Sequence, residues 1–182
     1  MKDYLKLGFI LMLVGILAAL ALGITYTATK DAIDKQAIIK QNKANSSVLD
    51  ASKFEQIKPA QIKEKGIKLD NEQDKIFEAK KGSNRIGYAV LVHPRGYGGL
   101  IEMVVGIKEG KVSGVSMVSN KETPGLGSAV FEPKFTKQYM GKTSKDPVEV
   151  KKDIDAITGA TISSKALTKG VRVALDYYKK LE

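Results

Sequence analysis

The chain has 182 residues, enough for one core plus appendages, and a formal net charge of +10 from 30 Lys and Arg against 20 Asp and Glu. It contains no cysteine and a single histidine, His93. Those counts exclude a disulfide framework, thiolate-bound zinc or iron–sulfur clusters, a Cys nucleophile and a histidine-based metal cluster. The lysines are scattered singly or in pairs without interleaved aromatics, so the positive charge reads as a solvated surface and argues against a nucleic-acid partner. His93, beside Pro94 at the end of an apolar run, is expected to be a surface turn residue.

Residues 7–24 (LGFILMLVGILAALALGI) carry no charged side chain and are long enough to cross a bilayer as a helix. Lys2 and Lys6 with Ala19-Leu20-Ala21 could also describe a cleaved signal peptide. The apolar run is longer than the usual signal core, and the A-x-A lies inside it, so the segment reads as a retained anchor over residues 1–28. Residues 29–47 read as a juxtamembrane stalk, with Ile33, Ala37 and Ile38 spaced for one helical face and Asn45-Ser46-Ser47 expected to break the helix. Lys30, Lys35, Lys40 and Lys43 follow the anchor and outnumber Lys2 and Lys6, a count that by itself places the C-terminal domain in the cytoplasm.

From 48 to about 74 short apolar groups among lysines define no clear element. Strand patterns follow at 75–79, 86–92, 100–107 and 112–118, the last two joined by Lys108-Glu109-Gly110-Lys111, a hairpin signature. They predict an antiparallel meander of three or four strands. Leu167, Val171, Ala174 and Tyr178 then recur at helical spacing, predicting an amphipathic helix over 164–180. Sheet and helix together make an α+β domain over 48–182.

Three glycine-bearing stretches are candidates for chemistry: Gly96-Tyr97-Gly98-Gly99, Glu122-Thr123-Pro124-Gly125-Leu126-Gly127, and Thr158-Gly159-Ala160-Thr161. None is a P-loop or a dinucleotide fingerprint. GYGG fits a tight connection between strands, where glycine supplies positive φ. ETPGLG fits a Pro-Gly turn, and its Leu126 between two glycines also suits a flat, partly polar ring. In DAITGATISS, from Asp155, a hydroxyl of Thr161, Ser163 or Ser164 could cap the helix, with Ser163-Ser164 the expected cap. A helix start also favours a phosphate through its open amides and dipole.

Asp155-Ala156-Ile157-Thr158-Gly159-Ala160-Thr161 resembles the flavin-transferase recognition motif D-x-x-[ST]-G-A-T, in which the last threonine is esterified to the phosphate of FMN. Ala156 stands where that motif often has Gly. With the anchor, GYGG, the 101–107 strand and ETPGLG in the same order, the chain resembles the G subunits of Rnf electron-transport complexes, relatives of the C subunit of the sodium-pumping NADH:quinone reductase. The resemblance implies covalent phosphothreonyl-FMN at Thr161, with Asp155, Thr158, Gly159 and Ala160 presenting that hydroxyl to the transferase. It implies that Thr123, Gly125 and Leu126 line the isoalloxazine, with Glu122 and Tyr97 as further candidates. It also implies an electron relay inside an ion-translocating ferredoxin:NAD⁺ oxidoreductase, a redox subunit not catalytic alone. Its partners would be the other subunits, the flavin transferase during maturation and the lipid bilayer, with the domain on the extracytoplasmic side, against the lysine count. Two alternatives from other classes are an anchored extracytoplasmic binding module without cofactor and a stand-alone flavoreductase.

Overall fold

In the computed structural model, which describes residues 2–182, the chain divides into two compact units, residues up to Lys40 and Gln41–Glu182. The first unit is part of one helix, α1 (Lys2–Val48). It is long and apolar enough to cross a membrane, with a mean hydropathy of 2.7 in its most apolar window. Its apolar side chains, among them Phe9, Leu13, Leu17 and Leu20, lie exposed. Past the apolar stretch, the Thr25, Thr27 and Thr29 hydroxyls donate back to the carbonyls of Ala21, Gly23 and Thr25, which satisfies them without a partner outside the helix.

The second unit is a five-stranded antiparallel meander in sequential order, β1 (Lys53–Gln56), β2 (Lys75–Lys81), β3 (Asn84–Val92), β4 (Glu102–Lys108) and β5 (Lys111–Ser119). A short helix α2 (Pro59–Glu64) follows β1, another, α3 (Pro133–Thr136), follows β5, and the chain ends in α4 (Thr161–Leu181). The four expected strands are all present. The fifth, β1, falls in the stretch that defined no element: only four residues long and half exposed, it has too little apolar pattern to announce itself and is held by pairing with Phe77–Lys80.

Strands β3 and β4 are buried on both faces, which is why they read as nearly continuous apolar runs rather than alternating ones. Tyr88, Val90 and Val92 of β3 with Met103, Val105 and Ile107 of β4 face α4, whose Leu167, Val171, Ala174 and Leu175 complete that core. On the other face Ala89, Leu91 and Val104 pack with Ala44, Val48 and Leu49. Here the helix end comes so close that Gly106 and Gly114, paired across β4 and β5, leave the room for Val48. The Ser113 hydroxyl donates to the otherwise open Val48 carbonyl at 2.7 Å.

Three expectations change. Asn45-Ser46-Ser47 lies inside α1, because burial of Ala44 and Val48 against the sheet outweighs the poor helix propensity of the triplet. The last helix begins at Thr161, before the expected 164. His93 is half-buried overall, with its side chain only 7% exposed. Its backbone N–H and Nδ1 both reach Asp74 Oδ1, at 3.0 and 2.9 Å, and the Tyr177 hydroxyl donates to Asp74 Oδ2 at 2.9 Å. A carboxyl buried just before β2 needs these donors, and they tie β2, the end of β3 and α4 together. Burial pushes the Tyr177 phenol well above its usual range, keeping it a neutral donor.

Two substitutions test this packing in the full chain. Leu167→Ala, at a position with no exposure, is expected to cost about 2–5 kcal/mol in a denaturation measurement; a loss near zero would contradict the docking of α4. Among the described residues both polar atoms of the buried Asn45 amide lack a partner, so Asn45→Leu is expected to stabilise by about 1–3 kcal/mol. A lowered melting temperature would count against that reading.

Candidate functional site

The three glycine stretches converge at the head of α4. A cavity of about 530 Å³ is lined there by Tyr97 from the first, Glu122, Thr123, Leu126 and Gly127 from the second, and Gly159, Ala160 and Thr161 with Ile162 and Ser163 from the third. Its size lies in the range of small-molecule and cofactor sites.

Each stretch has a local reason for its shape. Residues 94–101 form a tight loop closed by Gly96 N–H donating to the Gly99 carbonyl and Ile101 N–H to the Pro94 carbonyl. In ETPGLG, Gly125 takes φ +74° and donates its N–H to Ser128 Oγ at 3.0 Å, a left-handed turn that favours glycine. The chain then enters a 3₁₀ turn at Gly127–Phe131. In TGAT, Ala160 donates to the Ile157 carbonyl, and Gly159 at φ +80° lies against the Leu126 side chain, so the second and third stretches touch.

The head of α4 is not capped by a side chain. Ser164 Oγ instead donates to the Ala160 carbonyl at 2.9 Å and accepts the Ile157 N–H at 3.1 Å, closing the turn upstream of the helix. Ser163 Oγ donates to Glu122 Oε2 at 2.6 Å. The expectation that Ser163-Ser164 caps the helix is therefore corrected: α4 begins at Thr161, the cap position falls on Ala160, which has no side-chain acceptor, and the two serines lie inside the first turn with partners elsewhere. As a result the backbone N–H groups of Thr161, Ile162 and Ser163 have no acceptor among the described residues, and neither has the exposed Thr161 hydroxyl. Three open amides at the positive end of a 21-residue helix make an anion-binding arrangement beside a free hydroxyl.

Glu122 is the hub of the wall. It is 6% exposed and accepts from Gly98 N–H at 3.0 Å as well as from Ser163. A Cβ on Gly96 or Gly127 would collide with its carboxylate, and one on Gly98 would collide with the Lys121 carbonyl. GYGG is thus more than a strand connection: Gly98 admits the backbone of 121–122 and Gly96 the carboxylate of Glu122.

Of the expected site residues, the cavity brings together Tyr97, Glu122, Thr123, Leu126, Gly159, Ala160 and Thr161. Gly125 shapes the turn from outside it, and Thr158 is exposed and lines neither this cavity nor the next. Asp155 lines a separate cavity of about 580 Å³ with Ala156, Ile157, Phe135 and Gln138. Its backbone N–H donates to Gln138 Oε1 at 2.8 Å. Gly127, Ile162 and Ser163 line the first cavity beyond the expected set. In the sequence Ser163 shows only as one hydroxyl in a run of polar or small residues, which capping explains equally well.

Residues 96–176 match the FMN-binding domain family, a span that opens at the first glycine stretch and closes within α4. The chain is 34% identical over 196 aligned positions to the G subunit of the Na⁺-translocating ferredoxin:NAD⁺ oxidoreductase complex of Acetobacterium woodii, covering 99% of this chain and 94% of that one. It is 36% identical over 157 positions to the G subunit of the proton-translocating complex of Clostridium ljungdahlii, covering 83% and 78%. Among solved structures, the C subunit of the Na⁺-translocating NADH-quinone reductase of Parabacteroides distasonis shares the fold, with a TM-score of 0.58 at 17% identity over 82% of this chain and 95% of that one. Similarity at this level over nearly the whole length makes the chain a member of the family of G subunits of ion-translocating ferredoxin:NAD⁺ oxidoreductase complexes.

Proposed function

We propose that this chain is the FMN-carrying electron-relay subunit of a membrane-bound, ion-translocating ferredoxin:NAD⁺ oxidoreductase, with FMN joined by a phosphoester to Thr161. The observation that carries the reading is the unpartnered Thr161 hydroxyl beside three open N–H groups at a cavity inside the FMN-binding match.

The residues present fit the group. The amides of Thr161, Ile162 and Ser163 suit a phosphate. The side chains of Leu126, Ile162 and Tyr97, each largely exposed at the cavity, suit the faces of a flat ring system, and Glu122 supplies a buried acceptor. When bound, FMN supplies the redox chemistry that a chain without cysteine does not carry itself. The role of the protein is then to hold and to orient. An ester at Thr161 keeps the cofactor from diffusing away, the helix dipole favours the phosphate, and Gly159 and Gly127 let backbone approach the cavity.

Helix α1 anchors the subunit in the membrane over its apolar stretch, with residues 1–28 as anchor, 29–47 as stalk and the FMN-carrying domain from 48 on the extracytoplasmic side. Other subunits of the complex deliver and accept the electrons. Asp155, Ala156 and Ile157 line a separate cavity and not the one at Thr161. That placement supports a reading in which the first half of the motif is read by the flavin transferase, while Gly159 and Ala160 set the hydroxyl in place.

Co-expression with a flavin transferase, followed by denaturing electrophoresis and ultraviolet illumination, tests the attachment. The wild-type band is expected to fluoresce and the Thr161→Ala band to stay dark; two dark or two bright bands would sink the assignment. In the same assay sampled over time, Asp155→Ala is expected to slow labelling about tenfold or more, the effect of losing one charge-assisted contact. Its melting temperature should be unchanged. Labelling at the wild-type rate would remove Asp155 from the recognition stretch.

A further inference from the structure

Glu122 poses a question that its hydrogen bonds do not answer. Among the described residues it is the one acidic side chain lining the cavity at Thr161, and it is almost fully buried. Among the described residues no Lys, Arg or His lies within ion-pair distance of it, so its partners are two neutral donors, Gly98 N–H and Ser163 Oγ. Burying a carboxylate without a cation is costly. A neutral side chain would hold the same three segments at less cost.

The surroundings keep that carboxylate in the wall of the cavity. Gly96 and Gly127 each lack the Cβ that would displace it, and Ser163, two residues after Thr161, fixes Oε2 from the helix side. Glu122 itself is almost fully buried, so its charge is screened less than one on the surface. Adding electrons to a group next to such a negative charge is harder, which moves its midpoint potential down.

We propose that Glu122 is the fixed negative charge of this cavity and a positioning and tuning residue that lowers the midpoint potential of the flavin held there. The inference rests on attachment of FMN at Thr161. In this role Ser163 is its support: it orients the carboxylate and offsets part of its charge. The glycines at 96 and 127 are then required by the passage of one side chain, and the distance between the three stretches follows from it.

The test uses the full chain in detergent, co-expressed with a flavin transferase, as wild type, Glu122→Gln, Glu122→Asp and Ser163→Ala. Covalent flavin is read by gel fluorescence, folding by thermal melting and the midpoint potential by spectroelectrochemical titration. Glu122→Gln keeps the shape and removes the charge, so its potential is expected to shift upward. Glu122→Asp keeps the charge and loses a methylene, and should stay nearer the wild type. An unmoved potential in Glu122→Gln, or equal shifts in the Gln and Asp variants, would overturn the charge role. So would a Glu122→Gln chain that melts as wild type yet stays dark, which would make the residue one needed for attachment. If Glu122→Gln does not fold, Ser163→Ala decides: without that donor the charge is less offset and the potential should fall, and an unmoved or raised value overturns the proposal. A wild-type chain that takes up no flavin overturns the attachment itself and this inference with it.

Discussion

The apolar face of α4, pressed onto β3 and β4 through Leu167, Val171, Ala174 and Leu175, fixes where the first turn of that helix emerges. Because those four residues have almost no exposure, the helix cannot slide or rotate without opening the core. Its first residue, Thr161, is therefore presented at one place beside the glycine stretches. The amphipathic pattern of the last twenty residues is in this sense part of the site. It converts a stability requirement into a fixed position for a hydroxyl and three amides.

The second constraint is local and works against stability. A buried carboxylate at Glu122 draws in Gly98 and Ser163 and demands bare backbone at Gly96 and Gly127. The cap position of α4 is Ala160, which has no side-chain acceptor, and with Ser163 held by Glu122 and Ser164 by the preceding turn the helix head stays open. An anion-binding helix start and an uncapped helix are the same feature seen from function and from stability. The cost falls on the segment whose chemistry needs it.

Much of the fold was legible in the sequence because its signals are strong and local. The apolar run of α1, the β-rich runs of β2 to β5 with their Gly-containing connections, and the helical spacing from Leu167 to Tyr178 each specify their element. What escaped depends on partners distant in sequence. Strand β1 exists through pairing with β2, the His93 side chain is enclosed because Asp74, itself held by Tyr177, meets it, and α1 continues past Asn45 because the sheet packs on it. At the site, Thr161, Leu126 and Glu122 could be found from motif and loop chemistry. The contact of Ser163 with Glu122 spans 41 positions and leaves no periodic trace. Likewise nothing in Asp155-Ala156-Ile157 tells that these residues turn toward a different cavity from Thr161.

The central claim is a covalent bond at one atom, and mass spectrometry of the full chain after co-expression with a flavin transferase addresses it most directly. The account predicts an intact mass raised by one FMN less one water. It further predicts that the increment resides in the peptide between Lys152 and Lys165 and localises on fragmentation to Thr161. An unmodified mass in a chain from cells with an active transferase, or an increment on Thr158, Ser163 or Ser164 instead, would contradict it.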